Sequence, residues 1–89
     1  MPDREVTIIN RLGLHARAAS KLVNLAAGFG CDIRLLRNGR EVNAKSIMGV
    51  MMLAAARGTV LTLRAEGEDA EQALDRLEAL ILGRFGEPE

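Results

Sequence analysis

The spacing of apolar residues changes several times along this chain, and each change marks an element. Over residues 4–10, Val6 and Ile8 alternate with Glu5 and Thr7, the period of a half-buried strand, until Ile9 breaks the alternation. Asn10 to Gly13 reads as a loop. From 16 to 27 the period lengthens: Ala19, Leu22, Val23 and Ala26 recur at helical spacing, while Arg17, Lys21 and Asn24 can face water. Gly28 follows as a glycine that ends the helix in the C′ role. Residues 31–37 return to alternation, with Cys31, Ile33 and Leu35 inward, and Asn38-Gly39 is a strong hairpin signal because both central residues of a type I′ turn need positive φ. Arg40 to Asn43 is the return strand, with Val42 inward.

Residues 47–53 predict a short helix with Ser46 as its N-cap. A turn over Ala54 to Gly58 leads to a strand over 59–66, with Leu61, Leu63 and Ala65 inward. Gly67-Glu68-Asp69 opens a last helix, its acidic residues at the positive end of the dipole, and Ala70, Ala73, Leu74, Leu77, Leu80 and Ile81 form its apolar stripe. Gly83 to Glu89 is expected to be a frayed tail.

The predicted order is β-α-β-β-α-β-α, an α+β fold in which helices cover one face of a sheet. The chain has 89 residues, which is room for one modest core, so residues 1–89 are read as a single domain without repeats or linkers. Twelve Lys/Arg balance twelve Asp/Glu, which removes the electrostatic case for nonspecific nucleic-acid binding. With two phenylalanines as the only aromatics, there is no stacking platform for RNA either. The charge is unevenly distributed: residues 1–45 hold eight of the basic residues and four of the acidic, and the remainder reverses this. Arg11, Arg17, Lys21 and Lys45 are therefore expected to make a basic neighbourhood for an acidic partner.

Cys31, the single cysteine, cannot pair internally, and one Cys with one His cannot build a zinc site, so no metal or other cofactor is expected. No apolar run approaches the roughly 18 residues of a membrane span. Nor does the N-terminus resemble a signal peptide, so a cytoplasmic location without membrane attachment is expected.

Two stretches hold more chemistry than packing requires. The 47–53 helix carries Ile47, Met48, Val50, Met51, Met52 and Leu53, more than one buried face can use, so Ile47, Met48 and Met51 read as an adaptable recognition patch. The other stretch is Gly13-Leu14-His15-Ala16-Arg17-Ala18-Ala19, which places the only histidine where a helix begins. Free backbone N–H groups and the dipole favour an anion there. A neutral imidazole is a nucleophile. His15 thus reads as a carrier of a phosphoryl group, with the Ala16 amide as donor and Arg17 as counter-charge.

The order Gly-Leu-His-Ala-Arg closely resembles the active-site motif of the histidine-containing phosphocarrier (HPr) family of the bacterial phosphotransferase system. Asn38-Gly39, Ala44-Lys45-Ser46-Ile47-Met48-Gly49, Gly58-Thr59 and Ala65-Glu66-Gly67-Glu68-Asp69 fit the family pattern in order and spacing, so the resemblance covers nearly the whole chain. It implies an open-faced sandwich: a four-stranded antiparallel sheet in the order 1-4-2-3 with three helices on one face. It also implies a relay in which an enzyme I type protein passes a phosphoryl group from phosphoenolpyruvate to Nδ1 of His15, and a IIA-type protein takes it on. Such a carrier is a protein substrate rather than an enzyme, and a monomer is the natural state for docking two partners in turn. Lys21, Lys45, Ile47, Met48 and Met51 are the expected partner-binding residues. Ser46 matches the family's regulatory serine, the target of a dedicated kinase in some bacteria.

Many sugar-transport members carry proline where this chain has Ala18. Alanine there, like the Ser46–Met52 segment, looks like the nitrogen-branch (NPr-type) carriers, with a sugar-transport HPr as the alternative. Two readings of other classes remain at this level: a small acylphosphatase-like enzyme, and an interaction module that uses only the methionine patch.

Overall fold

The computed structural model describes residues 3–89. Strands β1 (Asp3–Thr7), β2 (Asp32–Arg37), β3 (Arg40–Asn43) and β4 (Val60–Glu66) alternate with helices α1 (Ala16–Ala27), α2 (Ile47–Met52) and α3 (Ala70–Leu82). The sheet order is β1-β4-β2-β3 with every pairing antiparallel. Val6 faces Leu61, Leu35 faces Leu63, and Val42 faces Leu35, so the inward residues form continuous rows across the sheet. Val6, Ile33, Leu35, Leu61, Leu63 and Ala65 are buried, and Leu22, Ala26, Leu74, Leu77 and Ile81 close over them from the helices. Cys31 is in this core, where burial first, and then Asp69, pushes its thiol pKa up. Among the described residues no helix is long and apolar enough to cross a membrane.

Most predicted boundaries hold to within a residue or two. β1 is shorter than the pattern predicts because Ile8 leaves the strand, although its N–H still bonds Thr59 and its carbonyl accepts from Gly58. Asn38 (φ 49°) and Gly39 (φ 81°) both take the left-handed conformation that the hairpin demands. Gly28 does not: its φ is −76°, so α1 ends in a right-handed turn with the Gly28 N–H on the Leu25 carbonyl. Asp69, expected at the positive end of the α3 dipole, stands at the start of α3 but makes no side-chain cap there. Its carboxylate instead accepts from the N–H groups of Gly30 (2.9 Å) and Cys31 (3.0 Å), tying the start of α3 to the entry of β2. Those donors, Gly30 first, hold its pKa below the ordinary aspartate value.

The largest departure is the C-terminus. The segment expected to fray turns back on the domain through a 3₁₀ turn at Arg84–Gly86 and packs against α1 and α3. Phe85 is its anchor, only 1% exposed. Arg84 (φ 58°) and Phe85 (φ 54°) both sit in the left-handed region, a strained path for residues with side chains. Lys21 on α1 holds the turn by donating to the Phe85 carbonyl at 2.6 Å.

Candidate functional site

His15 is the N-cap residue of α1, with extended backbone angles (φ −75°, ψ 178°). Its carbonyl accepts the first helical bond, from the Ala19 N–H at 2.8 Å, while its side chain makes no cap bond. The amides of Ala16, Arg17 and Ala18 therefore begin the helix without a local side-chain acceptor, the arrangement that favours an anion. A carboxamide or hydroxyl at this position would occupy those donors; an imidazole leaves them open.

The loop before His15 is fixed from two sides. Gly13 has φ 67°, and a Cβ on it would lie 2.6 Å from the Ala55 carbonyl oxygen. The next amide, that of Leu14, donates to that same carbonyl at 2.8 Å. Only glycine lets the His15 loop and the segment after α2 touch so closely. Asn10, fully buried, donates from Nδ2 to the Gly13 carbonyl at 2.8 Å and to Glu87 Oε1 at 2.9 Å.

Glu87 is the residue that sequence reasoning missed. Its other carboxylate oxygen meets Nε2 of His15. The His15 side chain is 28% exposed and that of Glu87 13%, so the pair is half-sheltered. Donation from Asn10, and then from His15, holds the Glu87 carboxyl below the ordinary glutamate range. With Nε2 engaged, the second ring nitrogen, Nδ1, is left for chemistry. The ring borders an open groove of about 660 Å³ lined by Arg11, Leu12, His15, Ala16, Arg17 and the tail residues Glu87, Pro88 and Glu89. The signal for this tail was present: Phe85 is one of only two aromatics in the chain, an unexpected residue for a segment meant to be solvated.

The expected basic neighbourhood is only partly assembled. Arg17 is exposed, lines the groove and makes no ion pair among the described residues. Arg11 also lines it and lies 3.5 Å from the Glu89 carboxylate. Lys21 is close but committed to the tail. Lys45 is elsewhere: its ammonium donates to the Phe29 carbonyl at 2.7 Å, beyond the opposite end of α1 from His15. A helix of 12 residues is about 18 Å long at 1.5 Å per residue, so Lys45 is no neighbour of His15.

The three residues of the expected apolar patch lie on the surface. Met48 is 70% exposed, and Ile47 and Met51 are also on the surface, while Val50 and Leu53 pack inward. Met52 and Leu12 are also exposed apolar residues, at 65% each, Leu12 in the His15 groove and Met52 beside the β2–β3 hairpin. Ser46 caps α2, its hydroxyl accepting from the Gly49 N–H at 3.2 Å. The other end is held by the hairpin: Arg37 donates to the Leu53 carbonyl at 2.5 Å and Arg40 to that of Met52 at 3.1 Å. No cluster of side chains suited to a metal ion occurs among the described residues.

A family model described as "PTS HPr component phosphorylation site" matches residues 2–82. The phosphocarrier protein HPr of Cupriavidus necator is 57% identical over 89 residues, covering all of both chains. The phosphocarrier protein NPr of Shewanella violacea is 44% identical over 85 residues, covering 96% of this chain and 93% of its own. Among solved structures, HPr-C-His from Thermoanaerobacter tengcongensis superposes with a TM-score of 0.96 at 43% identity, each chain covered completely. A histidine at an uncapped helix start, an open-faced four-stranded sheet and full-length similarity to proteins of one kind lead to one conclusion: the chain belongs to the HPr family, the phosphocarrier proteins of the phosphotransferase system, which carry a phosphoryl group rather than catalyse its transfer.

Proposed function

We propose that His15 is the phosphoryl acceptor, and that the group is carried on Nδ1. The observation that carries this reading is the engagement of Nε2 with Glu87 at a helix start whose first amides have no side-chain cap. The Nδ1 lone pair attacks phosphorus in line, and the bond from phosphorus to the donor breaks. Phosphoryl transfer asks for positioning and charge stabilisation more than for acid–base groups. The Ala16 amide supplies hydrogen bonds to the phosphoryl oxygens, and Arg17, unpaired and flanking the groove, supplies charge.

The donor is an enzyme I type protein charged by phosphoenolpyruvate, and the recipient a IIA-type protein. Both dock on the surface of Ile47, Met48 and Met51, with Lys21 at its basic side. The protein works as a monomer in the cytoplasm. Ser46 is foremost a helix cap, and a phosphate on it would meet a helix N-terminus at the edge of that surface. Ala18 supports the nitrogen-branch reading, with a sugar-transport HPr as the alternative, and relatives named HPr and NPr both match nearly the whole chain.

The test is intact mass after incubation with enzyme I and phosphoenolpyruvate. The wild-type chain should gain one phosphoryl group, labile in acid and stable in base, and His15→Ala should gain none while keeping its fold. Phosphorylation of His15→Ala by enzyme I would overturn the assignment. Offering the charged protein to sugar-branch and nitrogen-branch IIA acceptors, and comparing rates, assigns the branch.

A further inference from the structure

Glu87 comes from the last turn of the chain, outside the His15 motif and beyond residue 82, where the family match ends. Yet three separate contacts deliver it to the ring. Phe85 anchors the turn in the core, Lys21 holds the Phe85 carbonyl, and Asn10 takes the carboxylate oxygen that His15 does not. An arrangement this specific does more than tidy a terminus. We propose that the Glu87 carboxylate keeps a proton on Nε2 of His15 throughout the carrier cycle. This rests on the reading of His15 as the acceptor.

The chemistry follows from the ring. A neutral imidazole with its proton on Nε2 has its lone pair on Nδ1. When Nδ1 bonds to phosphorus and the donor leaves, the ring becomes a phosphoimidazolium that still holds the Nε2 proton. Onward transfer breaks the Nδ1–phosphorus bond, the electron pair returns to Nδ1, and the neutral ring is restored. No proton has to enter or leave in either direction. If the phosphorylated ring lost its Nε2 proton, the group expelled onward would be an imidazolate anion, a poor leaving group. A carboxylate on Nε2 opposes that loss, as the buried aspartate of a hydrolase triad fixes its histidine.

The charges around the ring make the carboxylate necessary. Arg17 from α1 and Arg11 from the preceding loop line the same groove, and Lys21 from α1 reaches the tail beside Glu87. These cations and the helix N-terminus place positive charge around the ring. Glu89 faces Arg11 rather than His15, and Glu87 is the anion in contact with the ring.

Glu87→Gln isolates the charge, because its amide oxygen can still accept from Nε2. In the unphosphorylated wild-type chain, ¹⁵N NMR of the ring should show the proton on Nε2, and Glu87→Gln should protonate to imidazolium only at lower pH. In the phosphorylated chain, Glu87→Gln should match wild type in onward transfer at acid pH. It should then fall behind by about tenfold at alkaline pH, the effect of removing one opposite charge from a half-exposed site. Glu87→Asp should recover much of the difference. Superposable pH profiles and ring titrations for wild type and Glu87→Gln would overturn the proposal, as would a wild-type ring carrying its proton on Nδ1. The ring measurements need no enzyme I, so a failure of the proton-holding role is separable from a failure of His15 to accept phosphate.

Discussion

Phe85→Ala tests whether the C-terminal turn is part of the domain. An aromatic side chain buries about 150–250 Å². At about 25 cal/mol per Å², burying Phe85 contributes roughly 4–6 kcal/mol as an upper bound. Undocking returns part of this. Arg84 and Phe85 leave the left-handed region, worth roughly 1–2 kcal/mol each. Lys21 regains side-chain freedom worth up to about 2 kcal/mol. The balance leaves a loss of about 1 kcal/mol, smaller than the roughly 3–5 kcal/mol usual for Phe→Ala in a core that cannot let go. For a domain of this size that is a fall in Tm of about 4–8 °C, readable by circular dichroism. A chain ended after Gly83 should melt close to Phe85→Ala, because both lack the docked turn. Phe85→Ala should also reproduce the ring titration of Glu87→Gln, since the carboxylate leaves with its anchor. A fall in Tm under about 4 °C, below the shift that even 1 kcal/mol produces, would refute the reasoning and return the segment to solvent.

Further outcomes follow from other contacts. Ser46→Ala should lower stability by about 0.5–2 kcal/mol through loss of the cap and leave phosphoryl transfer near normal. Ser46→Asp should keep the cap and slow transfer from enzyme I, and equal transfer rates for Ser46→Asp and wild type at low salt would leave the serine as a cap alone. Met48→Glu, on a side chain 70% exposed, should weaken transfer at unchanged Tm; loss of fold would mean that the side chain is structural. Asp69 has a folded-state pKa below its reference of 3.8, so its stabilisation is complete above that reference and is lost as pH falls through the folded value. Urea midpoints measured downward from about pH 5 should therefore decline less steeply in Asp69→Asn than in wild type.

The elements were legible because their signals are local. Alternation in 31–37, the Asn38-Gly39 pair and the stripe of α3 each state a conformation without help from the rest of the chain. His15 was legible for a different reason: a histidine at a helix start is a poor cap, and a poor cap at such a place invites another role. Long-range placements were hidden. Lys45 neighbours Ser46 in sequence, yet its ammonium reaches back to Phe29, a position that only the packed sheet and helix determine. Asp69 has the sequence context of a cap, but two backbone amides across the core edge take its carboxylate instead. The docking of the tail was hidden because Phe85 is a lone apolar signal among Gly, Arg, Glu and Pro, and the surface that receives it is built by α1 and α3.

The contact between Gly13 and Ala55 has a meaning for the partners as well as for this chain. It joins the His15 loop to the segment leaving α2, so the histidine and the methionine face form a single stencil. Neither can be re-aimed alone. On the proposed relay, a donor and a recipient of unrelated architecture must then each cut the same outline into their own surfaces. They must also take turns, because both need the one stencil whole. A carrier built this way sets the dimensions of its neighbours, and a change in its geometry would have to be answered on both sides at once.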